Sequence, residues 1–511
     1  MNMTHFNFAD HLFSLNKQRS NKLAFMDDSR TLTYGELEDQ SRRMANSLIA
    51  LGVRREERVF LLMHDNVDWP VAFLGSLYAG IVPVAINTLL PAADLAYMLL
   101  HSRAQVALVS EALMATFKDA LAQAPEHEIK HIITSGKSFA DLLASHPPLM
   151  APAKTHPDDI GFWLYSSGST GKPKGTVHTH ANPYHTAELF GKAVLDIRES
   201  DVCFSAAKLF FAYGLGNGLS FPLSVGATVV LTAERPTPDV VFKRWKGEIS
   251  TFNGIKPTIF FGAPTGYAGM LASPDLPKKS DVALRLCSSA GEALPREIGE
   301  RFTAHFGCHI VDGIGSTEML HVYLSNRPND VRYGTTGKAV PGYELSLRGD
   351  DGQEVSNGEV GDLYISGPSA ALMYWTRRDK SMETFQGAWL KSGDKYVRDS
   401  DGYYTYSGRS DDMFKISGQY VSPFEVESTL MQHTSVLEAA VVAVLDNNGL
   451  TRAKAYVVLK AGNFASEALN LELQSFVKSK LAPHKYPRLI EFLPELPKTA
   501  TGKIQRFKLR T

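Results

Sequence analysis

Cysteine is scarce in this chain, with three in 511 residues: Cys203, Cys287 and Cys308. Their odd number and wide spacing give neither a disulfide framework nor a metal-knuckle pattern. They point instead to a reducing compartment, so the expected location is the cytoplasm. Net charge is nearly absent too. At -1, with 21% charged residues, the chain has no bulk field to hold nucleic acid or an anionic membrane, and neither is expected as a partner. The opening stretch MNMTHFNFADHLFSLNKQRSNK lacks the basic n-region, long apolar core and small-residue cleavage site of a secretory signal. A charge-free segment between Asp68 and Asp94 is broken by Gly80, Pro83, Asn87 and Pro91. It reads as a buried helix followed by a buried strand, not as a membrane span. Fixed-period repeats and low-complexity tracts are missing as well.

What is present is length and alternation. A chain of 511 residues exceeds one ordinary hydrophobic core, so two or more domains are expected. Short apolar runs (ERVFLLM, IVPVAIN, QVALVS, VCFSAA, ATVVLTA, TIFFGAP, LRLCSSA, CHIVDGIG) alternate with helical patterns such as DWPVAFLGSLYAG and PAADLAYMLLHSR. That is the signature of parallel sheets covered by helices. From about residue 335 the texture turns to short strands and Gly/Asp/Tyr-rich turns, a mainly β subdomain. After SGRSDDMFKISG a compact α/β pattern returns: PFEVESTLMQH helical, LEAAVVAVL and AKAYVVLK as strands, LELQSFVKSKLA helical. The expected architecture is α/β: a large N-terminal domain, residues 1–410, of two α/β subdomains plus a small β subdomain, followed by a small mobile α+β domain, 411–511. Residues 451–511 carry 12 Lys+Arg against 4 Asp+Glu, a basic excess suited to a phosphorylated ligand or to an ordinary basic surface.

Straight after IGFWLY the chain reads YSSGSTGKPKG. Gly168, Gly171 and Gly175 let the backbone come close to a ligand, and Ser166, Ser167, Ser169 and Thr170 supply hydroxyls and N–H groups. Such a loop suits phosphate oxygens. It is not a Walker A loop: Pro173 follows Gly171-Lys172, and Ser166 stands where that motif needs its first glycine.

Five further motifs follow in order: SAGEALP (289–295), DGIGSTE (312–318), WLKSGD (389–394), YSGRSDDMFKISG (406–418) and PKTATGKIQR (497–506). Together with YSSGSTGKPKG they resemble the adenylate-forming superfamily of acyl-CoA synthetases, nonribosomal-peptide adenylation domains and luciferases, and the resemblance spans nearly the whole chain. It implies activation of a carboxylic acid by attack on the α-phosphate of ATP, then acyl transfer to the thiol of coenzyme A, with Mg²⁺ as the metal. By the same resemblance, Ser166 through Gly171 (Ser167, Gly168, Ser169, Thr170) with Lys174 form the phosphate loop. Gly291, Glu292, Asp312 and Gly313 wall the adenine site; where family members often carry a stacking aromatic, this chain has Gly313 and Ile314.

Thr317 matches the hydroxyl on the α-phosphate, and Glu318 the acid that holds Mg²⁺, a hard cation that needs few protein carboxylates. Asp394 matches the acid on the ribose hydroxyls, assisted by Arg409. Lys503 resembles the catalytic lysine that bridges carboxylate and α-phosphate, an ammonium stabilising two repelling anions. Asp411 falls at the hinge of the terminal domain, and Lys415, Ser417 and Gly418 match the segment presented to coenzyme A. His178 and His180 alternate in VHTH without an acidic or cysteine companion, so no zinc is assigned. The cysteines lack a histidine partner and are not expected as nucleophiles.

KLFFAYGLGNGLSFPLSVGA (208–227) and GSTEMLHVYLSN (315–326) are similar to the benzoate-CoA ligase branch. That similarity places Phe211, Ala212 and Tyr213 on one side of the acid pocket and Gly315, His321 and Val322 on the other. The walls are aromatic and carry no Lys or Arg for a second carboxylate, which suits a small neutral ring. Benzoate is the expected acid, with hydroxy- or aminobenzoates as alternatives. Another alternative within the fold is an enzyme that loads an aryl acid onto a carrier protein. The expected assembly is a monomer or homodimer.

Overall fold

The computed structural model describes residues 4–166, 172–410, 412–416, 419–446, 450–482, 484–498 and 504–510, with only the backbone for 415, 419 and 420. The chain divides into two compact units: residues up to Glu344 with Ile365–Leu390, and Leu345–Tyr364 with the chain from Lys391 onward.

The first unit holds two large sheets. One runs, in spatial order, Lys338–Ala339, Val322–Ser325, Ile310–Gly315, Leu286–Ser289, Ile259–Gly262, Val202–Ser205, Thr228–Val230, Leu23–Met26, Thr31–Thr33. From Ile310–Gly315 across to Leu23–Met26 every neighbour pair is parallel. The other runs Met373–Tyr374, Lys174–Thr179, Ile160–Ser166, Val82–Ala85, Arg58–Leu62, Val106–Val109, His131–Thr134. The alternation read from the sequence is therefore realised twice over. The apolar runs make strands buried on both faces, as parallel sheets under helices require; Val106–Val109 and Ile259–Gly262 are buried at every residue.

The charge-free segment forms the helix Asp68–Tyr78, buried along its whole length, and the buried strand Val82–Ala85. Trp69 stacks on Phe73 at 5.0 Å within a core shared with Leu37, Met44 and Leu48 of the helix Tyr34–Ala50. That second helix starts at a capping box: the Thr33 side chain accepts from the Glu36 N–H, and the Glu36 carboxylate accepts from the Thr33 N–H. All three cysteines are buried as free thiols. Among the described residues no helix is long and apolar enough to cross a membrane.

In the second unit, Val360–Ser366, Trp389–Arg398 and Tyr404–Arg409 lie in one sheet with Glu344–Arg348. A three-stranded sheet follows: Val436–Leu445 antiparallel to Thr451–Leu459, which is parallel to Leu489–Phe492. The helices Pro423–Leu430 and Glu467–Lys480 pack on it through Val426, Leu430, Leu473 and Val477. The two helices and the first two strands are the elements read from the sequence here; the strand Leu489–Phe492 was not.

Candidate active site

Ser166 ends one strand and Lys174 begins the next, and the two stand opposite each other in the antiparallel pair. The phosphate-loop candidates Ser167, Gly168, Ser169, Thr170 and Gly171 lie outside the described residues. So do Asp411, Ser417, Gly418, Lys503 and the side chain of Lys415.

The strand Leu286–Ser289 delivers Gly291 and Glu292 just beyond its end, where Gly291 takes φ +99°. Its neighbour Ile310–Gly315 carries Asp312, Gly313, Ile314 and Gly315, with Ser289 registered against Asp312. Burial pushes the Asp312 carboxyl well above the usual range, against the pull of the Leu294 and Gly313 backbone and the Ser289 hydroxyl. At Gly315 an added Cβ would meet the His321 carbonyl oxygen at 2.5 Å. Only glycine lets the chain fold back there, and the reversal sets Thr317 and Glu318 at the tip and returns His321 and Val322 beside the strand.

His178 holds the tip from below. Its Nε2 donates to the Thr317 carbonyl at 2.8 Å, and its Nδ1 accepts from the Asn182 amide at 2.9 Å. The ring stacks on Phe162 at 5.2 Å. Burial pushes this imidazole down to about 3, the Thr317 carbonyl opposing, so it is neutral and its tautomer is set by two partners. His180 does separate work, accepting from the Phe8 N–H at 3.3 Å. Nothing in the sequence signals that His178 reaches Thr317; the partners are 139 residues apart.

Glu318 is fixed on two sides. Its carbonyl accepts from the Ala371 N–H at 2.7 Å, and its Oε1 accepts from the Tyr374 hydroxyl at 2.7 Å. Oxygen donors of this kind, a carboxylate beside a threonine, fit a hard divalent cation.

Of the acid-pocket candidates, Tyr213 and His321 are brought together. His321 lies 5.3 Å from the Tyr213 ring, 4.4 Å from Phe221 and 5.4 Å from Phe190, centroid to centroid. The last two rings were missed from the sequence. His321 Nε2 donates to the Tyr213 carbonyl at 3.3 Å, which leaves Nδ1 an acceptor, buried and without a hydrogen-bond partner among the described residues. Burial pushes this imidazole down to about 3 against the Tyr213 carbonyl, so the ring is neutral. The Tyr213 hydroxyl donates to Ser288 at 3.0 Å, and its ring meets Phe261 edge-on at 6.3 Å. Ala212 and Tyr213 open a short helix, with Phe211 against Phe210 at 4.4 Å just before it.

Within the second unit, Asp394 and Arg409 face each other across an antiparallel pair, joined Nη1 to Oδ1 at 3.1 Å.

Two largely parallel sheets, one of which carries Asp312 on a strand and Thr317 and Glu318 just beyond its end, define the class. The chain belongs to the AMP-binding enzyme family, which it matches over residues 13–375, and residues 425–503 match the AMP-binding enzyme C-terminal domain. It is 54% identical to a benzoate–CoA ligase of Thauera aromatica over 99% of this chain and 96% of that protein. It is 48% identical to a 4-hydroxybenzoate–CoA/benzoate–CoA ligase of Rhodopseudomonas palustris, over 96% of this chain and 91% of that one. The structure is similar to that of a benzoate CoA ligase from Burkholderia xenovorans LB400, with TM-score 0.92, 59% identity, and coverage of 99% and 100% of the two chains.

Proposed function

We propose that this protein ligates benzoate, or a closely related small aryl carboxylate, to coenzyme A with ATP. A carboxylate oxygen attacks the α-phosphorus and expels pyrophosphate; the thiol of coenzyme A then attacks the acyl carbon and expels AMP. One observation carries the reading: the cage of Tyr213, His321, Phe221 and Phe190 sits on the same chain reversal that presents Thr317 and Glu318. A planar ring packs in that cage by edge and face contacts, with its carboxylate toward the reversal.

In this reading Thr317 donates to the α-phosphate from a position held by His178. Glu318 holds Mg²⁺, which when bound neutralises phosphate charge. Asp394, held by Arg409, takes the ribose hydroxyls. Residues 411–511 act as a mobile domain hinged at Asp411, with Lys503 bridging the two anions in the first step and Lys415, Ser417 and Gly418 meeting coenzyme A in the second. Among the described residues flanking Lys503, the Gln505 N–H donates to the Pro497 carbonyl at 2.8 Å, and Ile504 bridges Lys498. We further propose a cytoplasmic monomer or homodimer with no nucleic-acid or membrane partner.

The test is AMP release over a panel of small aryl and aliphatic acids, with and without coenzyme A. Benzoate-dependent AMP release that requires coenzyme A, with benzoyl-CoA as product, is the expected result. Release without a thioester product would favour the carrier-protein alternative. No aryl-acid dependence would end the proposal.

A further inference from the structure

The segment 369–375 ties the chain reversal at Glu318 to the strand Lys174–Thr179. The Ser369 hydroxyl donates to the Met319 carbonyl at 2.8 Å, and the Ala371 N–H donates to the Glu318 carbonyl at 2.7 Å. Two residues on, the same segment becomes the short strand Met373–Tyr374, antiparallel to Lys174–Thr179 with Tyr374 opposite Thr176. On that side the Leu372 N–H donates to the Val177 carbonyl at 2.9 Å, and the Trp375 N–H donates to the Gly175 carbonyl at 2.8 Å. One stretch of backbone thus grips the loop of Glu318 and the strand that begins at Lys174.

One side chain joins both as well. Tyr374 is 3% exposed; its hydroxyl donates to Glu318 Oε1 at 2.7 Å, and the Lys174 ammonium lies 4.0 Å from its ring centroid. The backbone N–H of Tyr374 donates to Ser381 Oγ at 3.0 Å, and its ring meets Phe385 at 5.4 Å, so the phenol is held from behind. These contacts have different chemical consequences. A hydrogen bond to one carboxylate oxygen fixes the rotamer and leaves the second oxygen for a hard cation. A ring face attracts an ammonium electrostatically and fixes where it sits without withdrawing its charge.

We propose that Tyr374 is a positioning residue for metal–nucleotide binding: its hydroxyl sets the Glu318 carboxylate, and its ring sets the Lys174 ammonium. The proposal rests on the reading of Glu318 as the Mg²⁺ carboxylate and Lys174 as a phosphate ligand. It also separates the two roles by chemistry, because Tyr374→Phe deletes the first contact and keeps the second.

The experiment is isothermal titration of the full-length wild type, Tyr374→Phe and Tyr374→Leu with ATP, in excess Mg²⁺ and in EDTA, beside their melting curves. For Tyr374→Phe, MgATP affinity is expected to fall about tenfold, as for a lost hydrogen bond to a charged group, while metal-free ATP affinity stays within about twofold. For Tyr374→Leu, metal-free ATP affinity also falls, by about threefold to tenfold. Addition of Mn²⁺ to Tyr374→Phe should show the same weakening, since it reads the same carboxylate. Equal MgATP affinity in wild type and Tyr374→Phe would overturn the proposal. So would an equal loss of MgATP and metal-free ATP affinity in Tyr374→Phe, which is the mark of a general packing defect. Failure of the wild type to bind ATP at all would refute the functional reading beneath the proposal, and is told apart by that control.

Discussion

Arg506 grips both oxygens of Glu427, Nε to Oε1 at 3.0 Å and Nη2 to Oε2 at 2.7 Å, while Glu427 Oε1 also accepts from the Val441 N–H at 2.7 Å. Nη1 of the same arginine reaches Asp412 at 3.3 Å. The chain at Arg506 is therefore fastened to the helix Pro423–Leu430 and to Asp412. A fork of this kind needs a planar guanidinium, and lysine does not replace it. Arg506→Lys and Glu427→Gln should each destabilise the second unit by about 3 kcal/mol, as expected when one partner leaves a buried pair. They should also lower pyrophosphate release more than ATP affinity. Urea unfolding followed by a probe in residues 411–511 checks the first, and titration with ATP the second. Unchanged pyrophosphate release in both variants would remove this anchor from the mechanism.

His178 supports Thr317 through one N–H. His178→Phe keeps an aromatic ring against Phe162 but removes one hydrogen bond from the Thr317 carbonyl, which keeps the Leu320 N–H at 3.1 Å, and one from the Asn182 amide, which keeps the Ala370 carbonyl at 3.2 Å, a loss of about 0.5–1.5 kcal/mol per bond. Adenylation should slow by about tenfold to a hundredfold, with little change in benzoate affinity. Because burial already holds the His178 and His321 imidazoles near 3, neither should contribute a step to the rate profile between about pH 5 and 9. A histidine-type step in that window, abolished by His178→Phe, would contradict the assignment.

Gly216 lies under His321. A Cβ built there comes to 2.3 Å from the His321 Cδ2 and 2.9 Å from Phe221. Gly216→Ala must therefore displace the imidazole, and with the acid placed against His321 as proposed, kcat/KM for benzoate should fall by about tenfold or more. KM for ATP should hold. Initial rates at varied benzoate and varied ATP separate the two, and an equal rise in both KM values would point to a wider disturbance.

The buried Nδ1 acceptor of His321 bears on which ring is preferred. His321→Leu removes it at similar volume, so the ratio of kcat/KM for hydroxy- or aminobenzoate to that for benzoate should drop by about tenfold. A ratio that stays level would show that Nδ1 does not meet the ring substituent.

Asp65 gives a pH dependence of stability. Its carboxylate accepts from the Leu209 N–H, at 3.3 and 3.1 Å to its two oxygens, just ahead of the acid-pocket residues. Burial pushes it up to about 6, with the Lys208 ammonium and the Leu209 N–H opposing. The folded state thus holds the proton more tightly than the unfolded chain. The stabilisation is complete below the ordinary carboxylate value of 3.8 and is lost as pH rises through about 6. It amounts to about 3 kcal/mol. Asp65→Asn should flatten that part of the stability curve between pH 4 and 7, making the variant relatively more stable above about pH 6; parallel curves for the two proteins would refute it.

Much of the first unit was legible because its strands are runs such as VALV and IFFG, apolar on both faces, ended by glycine and serine. The strand-end motifs announce themselves through the same small residues. The supports behind them do not. Periodicity tells that His178 or Tyr374 is buried, but not that they meet Thr317 or Glu318, 139 and 56 residues away. Phe190 and Phe221 escaped for another reason. Phe190 sits within the π-helical segment Ala187–Lys192, and Phe221 directly follows Gly216–Ser220, another such segment. Their wider turn shifts faces relative to an α-helical count.

The second half-reaction brings a free thiol, coenzyme A, to an activated acyl group. Cys203, Cys287 and Cys308 are all sequestered in the interior, so the protein offers no accessible thiol to compete as acyl acceptor or to cross-link with the cofactor. Practically, thiol-reactive dyes can follow coenzyme A consumption in real time against a quiet protein background, and the folded enzyme should survive them unlabelled.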